Sequence, residues 1–136
     1  MRAILALPLA LALLACNTTG PGSPSGVTAV DVNVTYRERI LLTPGHVMTA
    51  RIEDVSRADA RAPVLMETRQ PLDGRAPPYG LTLQVPNATV DPGHTYAVRA
   101  EIRDAAGGLR FTTDTRHAVL TNGAPNRADI VLVAVP

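Results

Sequence analysis

The chain has 136 residues, with 12 acidic side chains and 13 basic ones, all of them Arg, so its net charge is close to zero. Because the arginines are scattered, the sequence lacks the concentrated positive charge by which proteins bind nucleic acid. Three Tyr, one Phe and no Trp leave too few aromatic surfaces for stacked bases, so we expect no nucleic-acid partner.

The first 15 residues have the pattern of an export signal. Arg2 precedes an apolar run, residues 3–15, that is too short to be a stable membrane-spanning helix. Cys16, the only cysteine of the chain, follows this run, so a disulfide within the chain is excluded. The string "LLAC" resembles the lipobox of bacterial lipoproteins, which implies cleavage before Cys16 and lipidation of its thiol. An ordinary signal peptide that contains a cysteine is the alternative.

The segment after Cys16 predicts a tether. Residues 17–26 read "NTTGPGSPSG", a run without charge that is typical of flexible linkers. The residue after the cysteine, Asn17, is not an Asp. By analogy with lipoprotein sorting, this implies that the lipid anchor enters the outer membrane and that the chain faces the periplasm. We therefore expect a signal peptide at 1–15, a lipidated Cys and tether at 16–26, and a folded domain at 27–136.

From residue 27 onward, apolar and polar side chains alternate with a period of two, which indicates β-strands. Turn signals rich in Gly, Pro and Asn separate these runs. The pattern predicts an all-β domain, a small antiparallel β-sandwich of about seven to eight strands. The final run, "ADIVLVAVP", is apolar almost throughout and predicts a central strand buried on both faces.

Four strings of this region are together characteristic: "TYRER", the Pro-Gly corner, "EDVSRADA" and "FTTDT". They resemble the YbaY/YscW family of bacterial lipoproteins, and the resemblance covers residues 27–136. It implies a small β-sandwich. One branch of the family consists of type III secretion pilotins, which bind the C-terminal segment of a secretin and help to deliver it to the outer membrane. The YbaY branch, to which the strings are more similar, has no well-defined biochemical activity.

Our leading hypothesis is a non-catalytic outer-membrane lipoprotein that binds an envelope protein, such as a secretin, and needs no cofactor. Tyr36, Arg37 and Arg39 of the "YRER" run are candidate partner contacts, since Arg37 and Arg39 would share one face of an extended strand. The alternative is an exposed strand end whose charges keep a sheet edge soluble. A further hypothesis, an inhibitor of an envelope hydrolase, would use Tyr79 as the anchor of a protruding loop.

Two of the three histidines follow a Pro-Gly corner, in "TPGH" and "DPGH". His46 or His94 with Met48 could form a copper or zinc site, because a soft thioether favours Cu(I). The competing interpretation is that Pro and Gly shape a turn and His begins the next strand. We favour the turn, and we therefore predict no metal site and keep a metal-binding lipoprotein as the alternative.

Nothing in the sequence predicts an enzyme. Ser56 lies in a turn without the strand–turn–helix setting of a nucleophile elbow, and "DAAGGLR" is typical of a hairpin turn, not of a phosphate-binding loop. The carboxylates lie at strand ends and turns, where no acid–base pair is indicated.

Overall fold

The computed structural model describes residues 26–136, which form eight β-strands and one short 3-10 turn. No helix in this part of the chain is long and apolar enough to cross a membrane. The signal peptide, Cys16 and most of the tether lie outside the described residues. The strands are β1 (Val27–Tyr36), β2 (Val47–Asp54), β3 (Val64–Pro71), β4 (Tyr79–Pro86), β5 (Tyr96–Arg103), β6 (Leu109–Thr112), β7 (His117–Val119) and β8 (Arg127–Ala134), and the 3-10 turn spans Asn87–Thr89.

The strands join in a single sheet in the order β3-β2-β5-β6-β8-β1-β4, and β7 pairs with β5 beside this path. All pairs are antiparallel except β1 with β8, which run parallel. The two terminal strands of the order, β3 and β4, contact each other without a hydrogen-bonded ladder. The sheet therefore curls into a nearly closed, barrel-like form. The predicted all-β class and the predicted number of strands are confirmed.

The core fills the inside of the curled sheet and consists mainly of Val, Leu, Ile and Ala. The alternation in "VTAVDVNVTY" predicts that Val30, Val32, Val34 and Tyr36 share the inward face of β1, and all four are buried. The ring of Phe111 stacks on Tyr36 with the ring centroids 4.7 Å apart. Every buried side-chain nitrogen or oxygen among residues 26–136 has a hydrogen-bond partner. Within the described part of the chain, the core cluster runs from Val30 to Leu132.

Strand β8 lies centrally in the sheet, between β6 and β1, but the predicted burial of both its faces is wrong. Ile130 and Leu132 face the core, whereas Val131 and Val133 are 40% and 37% exposed. The physical reason is that the sheet curls around its own core, so no second layer covers its outer face. The apolar run thus has one face in the core and one apolar face that is partly exposed to solvent.

The amino-acid pattern of the run "LRFTTDTRHAVL", residues 109–120, predicts one strand, but the structure forms two, β6 and β7. Between them Thr113 takes over the pairing with β5. Its hydroxyl accepts a hydrogen bond from the Ala100 amide at 2.8 Å and donates one to the Ala100 carbonyl at 2.9 Å. The Thr113 amide also donates to the Ala100 carbonyl at 3.0 Å, so the hydroxyl replaces one of the two backbone bonds of this rung where the chain leaves the sheet.

The strand registers define two ends of the curled sheet. Because Val47 pairs with Arg103, β2 begins where β5 ends, and because Val34 pairs with Tyr79, β1 ends where β4 begins. Strand β6 pairs with both β5 and β8 and so joins these halves. The distal end carries the loops at 37–46, 72–78 and 104–108 and the C-terminus, whereas the proximal end carries Gly26 and the loops at 55–63, 87–95 and 120–126.

Candidate functional site

A shallow groove lies on the outer face of β8, beside the end of β1. The exposed side chains of Val131 and Val133 line it together with Arg37, Glu38 and the turn at residues 114–115. The parallel pairing of β8 with β1 brings the C-terminal half of β8 next to the start of the loop at 37–46. The groove therefore combines an apolar strand face with charged side chains at its margin.

The loop that follows β1 exposes two neighbouring aliphatic side chains. Ile40 is 53% and Leu41 is 61% exposed, whereas the next residue, Leu42, is buried in the core. The Tyr36 hydroxyl donates a hydrogen bond to the Ile40 carbonyl at 2.9 Å. A loop fixed at both ends thus presents Ile40 and Leu41 to solvent. Contiguous exposed apolar side chains on a protein surface mark interaction sites, whereas single ones are common.

Arg37, Ile40, Leu41, Val131 and Val133 are hereafter called the distal surface. Of the residues predicted from the sequence to contact a partner, Arg37 belongs to it and Arg39 lies exposed on the same loop. The expected extended conformation of the "YRER" run is wrong, because β1 ends at Tyr36 and the chain bends directly afterwards. Strand β1 is also not a sheet edge, since β8 and β4 flank it.

Tyr36 and Tyr79 are core residues, which corrects the expectation that they contact a partner through the surface. Tyr36 stacks on Phe111, and Tyr79 is the first residue of β4, not the tip of a loop. The Tyr79 hydroxyl donates to the Arg75 carbonyl at 2.9 Å, and burial, together with the nearby Tyr36 hydroxyl, raises its pKa above the ordinary value. The proposed anchor of a hydrolase inhibitor is thus enclosed in the fold.

The two Pro-Gly-His corners begin β2 and β5, but they lie at opposite ends of the sheet. The pairing of β2 with β5 is antiparallel, so His46 and His94 are separated by the length of a strand, roughly 25 Å. Met48 is fully buried in the core. His46 Nδ1 lies 2.8 Å from the Thr43 carbonyl of its own turn. Residues 26–136 contain no group of three or more His, Cys, Asp or Glu side chains placed to hold a metal ion.

At the proximal end His94 belongs to a polar network with Asp54. Asp54 Oδ2 lies 2.6 Å from His94 Nδ1, and Asp54 Oδ1 accepts hydrogen bonds from the Ser56 hydroxyl at 2.6 Å and the Ser56 amide at 3.0 Å. The hydrogen bonds from Ser56, with a further contribution from His94, lower the pKa of Asp54 to about 2. The network ties the end of β2 to the start of β5.

This Ser–Asp–His arrangement does not have the order of a catalytic triad. In a triad the histidine takes the proton of the serine and the carboxylate orients the histidine. Here the Ser56 hydroxyl donates to Asp54 and accepts a hydrogen bond from the Thr95 amide at 2.9 Å. Because His94 is not bonded to the hydroxyl, the network positions two loops and does not activate Ser56 as a nucleophile.

The same network borders a pocket that sequence reasoning missed, the proximal pocket. Its walls come from the loop after β2 and from the turn before β5, which are the "EDVSRADA" and "DPGH" strings. The antiparallel pairing of β2 with β5 places these two strings beside each other at one end of the sheet. Both strings are visible in the sequence, and pairing the two strands would have brought them together. The pocket is lined by Asp54, Ser56, Arg57, Ala60, Arg61, Ala62, Pro63 and His94.

The outer faces of β2 and β5 carry paired charges. Arg51 Nε lies 2.6 Å from Glu53, and a second nitrogen of Arg51 lies 3.6 Å from Glu101. Arg103 also contacts Glu101, at 3.0 Å. Partial burial opposes the rise, but the hydrogen bond to Glu53 and the charge of Glu101 raise the pKa of Arg51. These arginines are compensated by neighbours and do not form a basic binding face.

These features define a small all-β domain that exposes several apolar side chains at its distal end. A family model described as "Type III secretion system lipoprotein chaperone (YscW)" matches residues 25–132, and the chain belongs to this family. The lipoprotein YbaY of Escherichia coli (strain K12) is 30% identical over 146 residues, which cover 95% of this chain and 76% of YbaY. The resemblance that the sequence strings indicate is confirmed.

A solved structure agrees with this assignment. An alternative pilotin from the type II secretion system of Vibrio cholerae superimposes with a TM-score of 0.76 and 33% sequence identity, covering 81% of this chain and 98% of the pilotin. These relatives are of the chaperone and pilotin type and are not enzyme families. The chain is thus a member of a family of envelope-associated lipoproteins.

Proposed function

We propose that this chain is a non-catalytic outer-membrane lipoprotein, anchored through Cys16, that binds an envelope protein in the manner of a pilotin with a secretin. The observation that carries the proposal is the exposure of Ile40 and Leu41 at 53% and 61% on a loop held by the Tyr36 hydroxyl. The similarity to a type II secretion pilotin supports an envelope protein of the secretin class as the partner. Neither the metal-binding nor the inhibitor alternative has comparable support, because their residues are separated or buried.

The chemistry of the distal surface indicates what it recognises. Ile40, Leu41, Val131 and Val133 offer apolar contact area, and Arg37 adds a positive charge at its margin. A partner segment with apolar side chains on one face and an acidic residue beside them would complement it. The apolar contacts would supply most of the affinity, and the arginine would favour the correct orientation.

Replacing Ile40 and Leu41 together by Ser tests this proposal. Each side chain is about half exposed, so covering it contributes roughly 1 kcal/mol, and losing both lowers the affinity at least about tenfold. The measurement is calorimetric titration of residues 26–136 with the C-terminal segment of a secretin from the same genome. Val64→Ser is the matched control, because Val64 is 51% exposed but lies on β3, outside the distal surface.

The proposal predicts that the control binds the secretin segment like the unaltered protein. Equal affinities of the double variant and the unaltered protein would exclude the distal surface as the binding site. Absence of binding by all three proteins would exclude this segment as the partner. Thermal unfolding of the double variant checks its fold, and no loss of stability is expected because both side chains are exposed.

A further inference from the structure

The proximal pocket contains two arginines without a charge partner. Arg57 and Arg61 lie on the loop after β2, and both line the pocket. Within residues 26–136 neither guanidinium makes an ion pair or a hydrogen bond. This distinguishes them from Arg51 and Arg103, whose charges are met by glutamates on the sheet. Two uncompensated guanidinium groups beside one cavity favour an anionic ligand.

The acidic group that lines the pocket, Asp54, is engaged by Ser56 and His94. Both oxygens of Asp54 are occupied, one by Ser56 and the other by His94. Asp91 lies on the opposite side of the same imidazole, with its Oδ2 3.5 Å from His94 Nε2. Asp59 is exposed on the loop and does not line the pocket. Since both ring nitrogens of His94 face carboxylates, the arginines are the donors left to bind a ligand.

The remaining lining limits the size of that ligand. Ala60, Ala62 and Pro63 form an apolar wall of small side chains, which suits a compact anion attached to a short apolar group. A phosphate group has this size, and its oxygens match the planar fork of donors that a guanidinium presents.

We propose that Arg57 and Arg61 hold a phosphate group in the proximal pocket, supplied either by a lipid headgroup or as free phosphate. The position of the pocket favours the lipid. It lies at the end of the sheet where Gly26 receives the chain from residues 16–25. The lipid source rests on the proposed anchor at Cys16, whereas binding of free phosphate does not.

Two titrations of residues 26–136 test the inference and separate the two sources. In the first, inorganic phosphate is added while the amide resonances of residues 55–63 and His94 are followed by NMR. In the second, the protein is mixed with vesicles of phosphatidylglycerol and phosphatidylcholine, and sedimentation measures the bound fraction. We expect binding in at least one titration, with a dissociation constant for free phosphate on the order of 1 mM.

The Arg57→Gln and Arg61→Gln substitutions, singly and together, identify the site. The double variant is expected to lose at least about tenfold in affinity, because each guanidinium contributes a charge-assisted contact. Arg110→Gln is the matched control, since Arg110 is exposed at the distal end. It removes the same net charge as either single variant and should leave the affinity unchanged.

The outcomes are distinguishable from those of the secretin titration, because the two sites lie at opposite ends of the sheet. Resonance shifts with free phosphate alone support a soluble ligand, and binding only to anionic vesicles supports the lipid headgroup. An equal loss in the Arg110→Gln and Arg57→Gln proteins would indicate general electrostatic attraction and overturn the proposal. Absence of binding in both titrations would overturn it as well.

Discussion

Asp54 accepts hydrogen bonds from the Ser56 hydroxyl, the Ser56 amide and His94 at the point where β2 ends. These bonds stabilise the charged carboxylate, so its pKa of about 2 in the folded chain lies below the ordinary value of 3.8. A carboxylate whose pKa is lowered by folding contributes stability that is complete above the unfolded pKa. That stability is lost as the pH falls through the folded pKa.

Asp54→Asn should therefore reduce the fall in the free energy of unfolding at acidic pH, which is called here the acid limb of the stability profile. The unaltered protein loses this contribution between about pH 4 and pH 2, whereas the variant lacks it at every pH. Urea unfolding at intervals between pH 2 and pH 7 measures the difference. Asp59→Asn is the control, because Asp59 is exposed and lies on the same loop. Parallel acid limbs for the Asp54 variant and the unaltered protein would contradict the assigned role.

At the scale of single positions, two patterns in the amino-acid sequence make conflicting predictions for Tyr36. The alternation of β1 placed it on the same face as Val30, Val32 and Val34, which is its observed position in the core. The charged "YRER" run suggested an exposed contact instead. The alternation was the better guide, because burial of a strand face involves every second residue and a short charged run does not. Tyr79 alternates in the same way with Leu83 and Val85 of β4, so the pattern of that strand also placed it inward.

Among the elements, the interruption between β6 and β7 depends on one side chain. The Thr113 hydroxyl satisfies both backbone groups of Ala100, a residue that is buried in the sheet. Thr113→Val keeps the volume but leaves the Ala100 amide without this acceptor. We expect a loss of about 1–3 kcal/mol in the free energy of unfolding.

Chemical denaturation of the Thr113→Val and Thr115→Val proteins provides the comparison. The Thr115 hydroxyl bonds only to the neighbouring exposed Asp114, so its removal should change stability by no more than about 0.5 kcal/mol. If the two variants are destabilised equally, the Thr113 hydroxyl does not replace a backbone bond of the ladder.

The strands themselves were largely predictable, and their partners were not. The inward faces of β2 and β5 follow from alternation. Met48, Ala50 and Ile52 lie on the inner face of β2, and Val98 and Ala100 lie on the inner face of β5. The parallel pairing of the first strand with the last links residues about 100 positions apart, and the amino-acid pattern carries no register for such a contact. The division of residues 109–120 was hidden for the same reason, because Thr113 bonds to a different strand.

For the molecule as a whole, the arrangement of one sheet accounts for both candidate sites. Its curling leaves the outer face of β8 uncovered, so Val131 and Val133 are available at the distal surface. The antiparallel pairing of β2 with β5 places the end of one strand beside the start of the other, which forms the proximal pocket. The sequence indicated Arg37 and Arg39 through the "YRER" string, but Ile40 and Leu41 could not be separated from core residues before the loop was known. Leu42, the next residue, is buried.

The two ends give the whole molecule a direction. The chain enters the domain at Gly26, at the proximal end, and the distal surface lies at the other. With a lipid anchor at Cys16, the proximal pocket would lie near the membrane and the distal surface would extend into the periplasm. An envelope protein bound to the distal surface would then lie on the periplasmic side of the domain, and the lipid anchor would keep the complex at the membrane.

The most direct test of this account is the amount of a secretin from the same genome that reaches the outer membrane of cells lacking this protein. Membrane fractions are compared after complementation with the unaltered chain, with Cys16→Ala and with the Ile40→Ser/Leu41→Ser double variant. The account predicts outer-membrane secretin with the unaltered chain, and its loss with either variant at equal protein levels. Secretin in the outer membrane at the full amount with both variants would contradict it.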